Sequence, residues 1–85
     1  MKREEVYRAL DSERDYQDQK WGNTLREGKH TPTEFMVYMQ DYLLEAMKII
    51  SRMADPEASE KAMHIIRKIT AMGVACGEQH GMPDR

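Results

Sequence analysis

The chain has 85 residues, 13 of them basic and 15 acidic, for a net charge of −2 with no basic block along its length. That length makes one small domain, residues 1–85, whose core alone is barely sufficient, and the charge pattern lacks the basic footprint of a protein that grips a nucleic-acid polymer. A single cysteine, Cys76, excludes an internal disulfide and, with no leader segment, points to a reducing, cytoplasmic setting; no apolar run is long enough to span a membrane.

The first predicted helix covers about residues 2–20. At about 100° per residue, Val6, Leu10, Glu13, Arg14, Gln17 and Trp21 fall on one stripe, apolar at both ends and polar in the middle. An inward polar group left without a partner costs roughly 1–3 kcal/mol. These side chains therefore satisfy one another across a helix interface, or they line a site for a polar ligand. A Gly- and Asn-containing loop follows over residues 22–30.

Thr31-Pro32-Thr33-Glu34 is a capping box, with Thr31 as cap and Pro32 at the first helical position. It opens a second helix over residues 32–53, whose seam is Phe35, Met39, Tyr42, Ala46, Ile49 and Met53. Asp55-Pro56 repeats the start signal for a third helix over residues 56–77. Ala58, Ala62, Ile65, Ile69, Met72 and Cys76 form the matching seam, and Gly77 is the expected stop. Residues 78–85 read as an irregular tail. The short connection between the second and third helices predicts an antiparallel hairpin.

The far sides of the hairpin helices are apolar as well. Val37 and Leu44 lie opposite the second helix's seam, and Met63 and Val74 opposite the third's. Helices apolar on two sides are buried on two sides. One short first helix cannot cover both, so the fold class is all-α, a three-helix chain assembling as a homo-oligomer around a four-helix core. Gly73, Ala75 and Gly77 allow close backbone approach near the end of the third helix. Eight methionines suit a core, and equally an adaptable interface.

Two constellations carry chemistry. Asp41 and Glu45 share one helix face beside Tyr38. They can hold Mg²⁺ through carboxylate oxygens, or pair with Arg67 and Lys68, which the hairpin brings near. Glu57 and Glu60 read as first-turn acids complementing the helix dipole. Arg14, Gln17, Lys20 and Trp21 combine cation, amide and indole. An indole face stacks on a base while Arg or Lys meets phosphate; alternatively Trp21 simply anchors its helix. Cys76, on an apolar seam, reads as inert, and His30, His64 and His80 lack metal-ligand spacing.

The order Glu13-Arg14-Asp15-Tyr16-Gln17-Asp18-Gln19-Lys20-Trp21-Gly22, then His30 and Glu45-Ala46, resembles small tailed-phage proteins related to the MazG-like all-α nucleoside triphosphate pyrophosphohydrolases. Ala75-Cys76-Gly77-Glu78-Gln79-His80-Gly81 extends that phage resemblance, which spans about residues 13–81. Active members of the family hold Mg²⁺ with a glutamate-rich helix and a Glu-x-x-Asp pattern on its partner. This chain has only Asp41 and Glu45, and places Arg67 and Lys68 where the partner's acids belong. The resemblance therefore implies nucleotide binding with no cofactor and no catalytic residue. The implied function is a phage sponge sequestering a nucleotide immune signal, such as a cyclic nucleotide. Its ligand contacts are Arg14, Gln17, Lys20, Trp21, Tyr38, Asp41, Glu45, Arg67 and Lys68. The alternatives are a Mg²⁺-dependent pyrophosphohydrolase using Asp41 and Glu45, and a helical module binding another protein through Val37, Leu44, Met63 and Val74.

Overall fold

Thr31 and Glu34 do what their spacing requires. Thr31 Oγ1 accepts from the Glu34 N–H at 3.1 Å, and the Thr31 N–H donates to Glu34 Oε1 at 3.0 Å. Two otherwise orphaned donors are thus satisfied at the start of a helix whose first residue is proline. In the computed structural model, which describes residues 1–22, 29–52 and 56–85, that helix is the second of three. They are α1 (Arg3–Trp21), α2 (Pro32–Ser51) and α3 (Ala58–His80), and no strand occurs among the described residues. None of these helices is long and apolar enough to cross a membrane.

Three expectations about boundaries need comment. α2 stops at Ser51, whose hydroxyl donates to the Lys48 carbonyl at 2.8 Å while the Arg52 N–H turns back to Ile49. These bonds compete with continuation of the ladder. Met53, the expected last member of its seam, and Asp55, the expected cap of α3, lie outside the described residues, but α3 starts at Ala58 rather than residue 56, with Glu57 in the cap position and only Glu60 as an acid of its first turn. The third case is a correction as well. Gly77 does not end α3, and Glu78, Gln79 and His80, expected in an irregular tail, form its last turn. The stop is Gly81, at φ 85°, with its N–H on the Gly77 carbonyl at 2.8 Å. That left-handed backbone favours glycine.

α3 is the central element, packing on α2 along one side and on α1 along another, while α1 and α2 make no close backbone approach to each other. The α2 side is apolar and built from the predicted seams. Phe35 meets Met72 and Ala75, with Met39, Tyr42 and Cys76 around them. Ala46 meets Ala62 and Ile65, joined by Ile49 and Ile69. Gly73 is not held tight: a Cβ there would meet only Met39 Cε, at an ordinary 3.8 Å. Crowding is confined to Gly77, where a Cβ would stand 3.0 Å from the end of Met82.

A candidate ligand cleft between α1 and α2

The polar middle of α1 faces α3, and all three of its members are buried: Glu13, Arg14 and Gln17 are at most 6 % exposed. Arg14 is the hub. Its Nε donates to Glu78 Oε1 at 2.8 Å and its Nη2 to Glu78 Oε2 at 3.3 Å. Nη2 also reaches Asp18 Oδ1 at 2.8 Å, and Nη1 reaches Gln17 Oε1 at 3.1 Å. Glu78 is available only because α3 runs past Gly77. Its hydrogen bond, more than any other influence, raises the Arg14 pKa, against the opposing effect of burial. Arg14 thus sits in a two-point fork on Glu78, the geometry in which guanidinium–carboxylate pairs are strongest.

Gln17 completes the network by donating from Nε2 to the Lys68 carbonyl at 3.3 Å. One turn earlier, Glu13 Oε1 accepts from Arg67 Nε at 2.7 Å. Arg67 Nη1 lies 2.7 Å from His64 Nδ1. Because a guanidinium has no acceptor, Nδ1 accepts and the His64 proton sits on Nε2. Glu13 Oε2 is buried with no partner, the one such side-chain atom among the described residues.

Where the backbones of α1 and α2 stay apart, a cleft of about 270 Å³ lies between them, lined also by α3. α1 supplies Arg14, Gln17, Asp18 and Trp21; α2 supplies Phe35, Tyr38 and Tyr42; α3 supplies Met72, Ala75 and Gln79. His30, just ahead of α2, lines the cleft too. Its ring stands edge-on to Phe35 and Tyr38, with centroids 5.7 and 5.3 Å away. The last turn of α3 holds it: the His30 N–H donates to Gln79 Oε1 at 2.8 Å, and His80 Nε2 donates to the His30 carbonyl at 2.6 Å. Five rings thus line one small space, with a buried polar network along one wall. Two ammonium groups stand against rings that line it: Lys20 Nζ is 5.3 Å from the Trp21 centroid, and Lys68 Nζ is 5.8 Å from that of Tyr42; Lys20 Nζ is also 5.8 Å from the ring of Tyr16, outside the cleft.

Of the residues singled out from sequence, Arg14, Gln17, Trp21 and Tyr38 meet in this cleft, and Lys20 and Lys68 flank it. Arg14 does not stand free for a phosphate, as expected from sequence; two carboxylates already engage it. Arg67 is outside the cleft lining and tied to Glu13. Asp41 and Glu45 are exposed on α2, line no part of the cleft, and make no ion pair with Arg67 or Lys68. No group of three His, Cys, Asp or Glu side chains suited to a metal ion occurs among the described residues.

Sequence reasoning missed Asp18, His30, Glu78 and Gln79. Asp18 carried a readable signal, standing four residues after Arg14 on the same helix face. Phe35 and Tyr42 were visible only as members of a packing seam, whereas they also form the cleft wall. No protein-family model, curated protein or solved structure matches this chain.

Proposed function

We propose that this protein is a non-enzymatic binder of a small nucleotide, taking the base into the cleft between α1 and α2. The observation that carries this reading is the concentration of Trp21, His30, Phe35, Tyr38 and Tyr42 around about 270 Å³. That volume is near the lower end for ligand sites, roughly 300–1,000 Å³, and suits one nucleoside-sized part of a ligand. Stacking on aromatic side chains contributes about 1–3 kcal/mol per base. With Arg14 neutralised by Glu78 and Asp18, the phosphate role passes to Lys20 and Lys68 beside the lining rings. The ligand enters ring first and leaves its charge outside.

The sequestering role, in the cytoplasm of a phage-infected bacterium, rests on the family resemblance; the cleft supports only the ligand chemistry. We also read α2 and α3 as an antiparallel hairpin in a homo-oligomer with a four-helix core. Supporting the hairpin, Phe35 near the start of α2 meets Met72 and Ala75 late in α3, while Ala46 further along meets Ala62 and Ile65 early in it. Supporting assembly, Val37, Leu44, Met63 and Val74 are all exposed.

Titration calorimetry against nucleosides, mononucleotides and cyclic dinucleotides tests the ligand. Micromolar or tighter binding is expected for at least one, weakened about tenfold or more by Trp21→Ala and less by Lys20→Gln. Absence of binding across the panel at 100-fold higher concentrations rejects the reading.

A further inference from the structure

α1 contributes Arg14, Gln17, Asp18 and Trp21 to the cleft, at the spacing of one helix face. Two of these polar groups are spent on the protein itself. Arg14 forks onto Glu78, while Gln17 gives its carbonyl oxygen to Arg14 and its amide to the Lys68 carbonyl. Asp18 is not spent. Its Oδ1 accepts from Arg14 Nη2 at 2.8 Å, whereas Oδ2 has no hydrogen bond among the described residues, and the side chain is 40 % exposed. Of the polar side chains in the lining, Asp18 alone is a carboxylate, a group that accepts and does not donate. Counting Glu78, which shares Arg14 with it, this side of the cleft holds two carboxylates to one guanidinium. It therefore attracts a ligand edge that donates and repels one that accepts.

We propose, resting on the nucleotide reading of this cleft, that the base it takes is guanine, whose N1–H and N2–H both donate to the Asp18 carboxylate. Among the common bases, guanine alone sets two donors side by side on its Watson–Crick edge, and the two oxygens of one carboxylate accept them as a parallel pair. Adenine offers N6–H beside the N1 lone pair, and cytosine N4–H beside the N3 lone pair. Uracil flanks its single N–H with two carbonyls. Each of these turns at least one lone pair toward a carboxylate oxygen, a mismatch that lowers affinity. Position supports the contact. Asp18 and Trp21 stand three residues apart on α1, so a ring lying on the indole turns its edge toward the carboxylate. Oδ1 keeps its bond to Arg14 meanwhile, because a carboxylate oxygen accepts more than one donor. That bond also holds the carboxylate in place beforehand, so little side-chain freedom is lost on binding. The same negative charge turns the phosphate away from Asp18, toward the Lys20 and Lys68 ammonium groups that flank the cleft.

Calorimetry with guanosine, inosine and adenosine monophosphates, and with cyclic di-GMP against cyclic di-AMP, tests this. Fluorescence of Trp21, the only tryptophan, reports occupancy of the cleft. Inosine keeps the N1–H and lacks the N2 amino group. The guanine ligands are expected to bind at least about tenfold tighter than their adenine counterparts, with inosine monophosphate between. Asp18→Asn leaves one oxygen for Arg14 and replaces the other by a donor. It is expected to bring the guanine, inosine and adenine ligands within about threefold of one another. A role confined to holding Arg14 would instead weaken every ligand by the same factor, and a guanine preference unchanged in Asp18→Asn overturns the assignment. So does an adenine ligand that binds wild type as tightly as its guanine counterpart, an outcome that leaves the nucleotide reading standing. If no ligand of the series binds or alters Trp21 fluorescence, the nucleotide reading fails and guanine selectivity with it. Should Asp18→Asn unfold, the order of guanine, inosine and adenine ligands on wild type decides.

Discussion

α3 meets its two neighbours by opposite means. Toward α2 it presents Ala62, Ile65, Met72 and Ala75 to Phe35 and Ala46, buried side chains that carry no hydrogen-bonding group. Toward α1 it meets Glu13, Arg14 and Gln17, a buried polar set tied by hydrogen bonds of 2.7–3.3 Å to Arg67, Lys68 and Glu78. Apolar contact is non-directional and tolerates small slips at modest cost. A forked guanidinium is satisfied in only one position. The apolar side therefore supplies most of the stability, while the polar side fixes where α1 sits. That placement helps set the width of the cleft, because the α1 and α2 backbones make no close approach of their own.

The largest test of this division is Ile65→Ala, which empties the apolar side without touching the cleft lining. A loss of about 2–5 kcal/mol is expected in urea unfolding, with ligand affinity of the folded fraction unchanged. Arg14→Met should cost about 2–3 kcal/mol. Glu78 and Asp18 are left facing each other without their shared cation, but both are some 40 % exposed, which keeps the loss below that of a fully buried pair. Here the signature is regional: amide exchange should rise in α1 far more than in α2, and an equal rise everywhere would contradict the division of labour.

Glu13→Leu sharpens the comparison from inside the polar side. Glu13 already carries one unpartnered oxygen, and Arg67, about one third exposed, can turn to water. Stability should change by no more than about 1 kcal/mol in either direction. A loss matching that of Arg14→Met would refute the ranking. Gly73→Ala should stabilise by about 0.5–1 kcal/mol, read as a higher thermal midpoint, since the helix interior disfavours glycine and the added methyl meets only Met39 Cε at 3.8 Å. The smallest effect lies at the α2 N-terminus. The Thr31 N–H, then its hydroxyl, hold the Glu34 carboxyl below its ordinary pKa. A lowered folded-state value means the stabilisation is complete above the ordinary carboxylate range and is lost as pH falls through the lowered one. Circular dichroism from pH 6 to 2 should show more acid fraying in wild type than in Glu34→Gln.

The two sides of α3 also differed in how readily they could be read from sequence. The apolar seams follow from spacing within each helix, and the cap of α2 from four adjacent residues, all local signals. The inward polar stripe of α1 was equally visible, since Glu13, Arg14 and Gln17 share a face with Val6 and Leu10. Their partners were not. Glu78 lies 64 residues from Arg14, and Arg67 lies 54 from Glu13. Periodicity says nothing about contacts at that range. Gly77 added a false stop, since glycine after a periodic run is the usual end signal, and so Glu78 and Gln79 read as tail. The cleft itself arises from a gap between α1 and α2, and no residue pattern records a gap.

The 64 residues between Arg14 and Glu78 also have a temporal meaning. At roughly 5–20 residues per second of synthesis, Arg14 is made about 3–13 s before the carboxylate that will hold it. During that wait α1 can only be an unattached segment. Were its inward stripe apolar throughout, every nascent copy would display a sticky helix for seconds in a crowded cell. Glu13, Arg14 and Gln17 instead keep it hydrated until its acceptor arrives, so the chemistry that orients the finished helix also protects the unfinished one from aggregation.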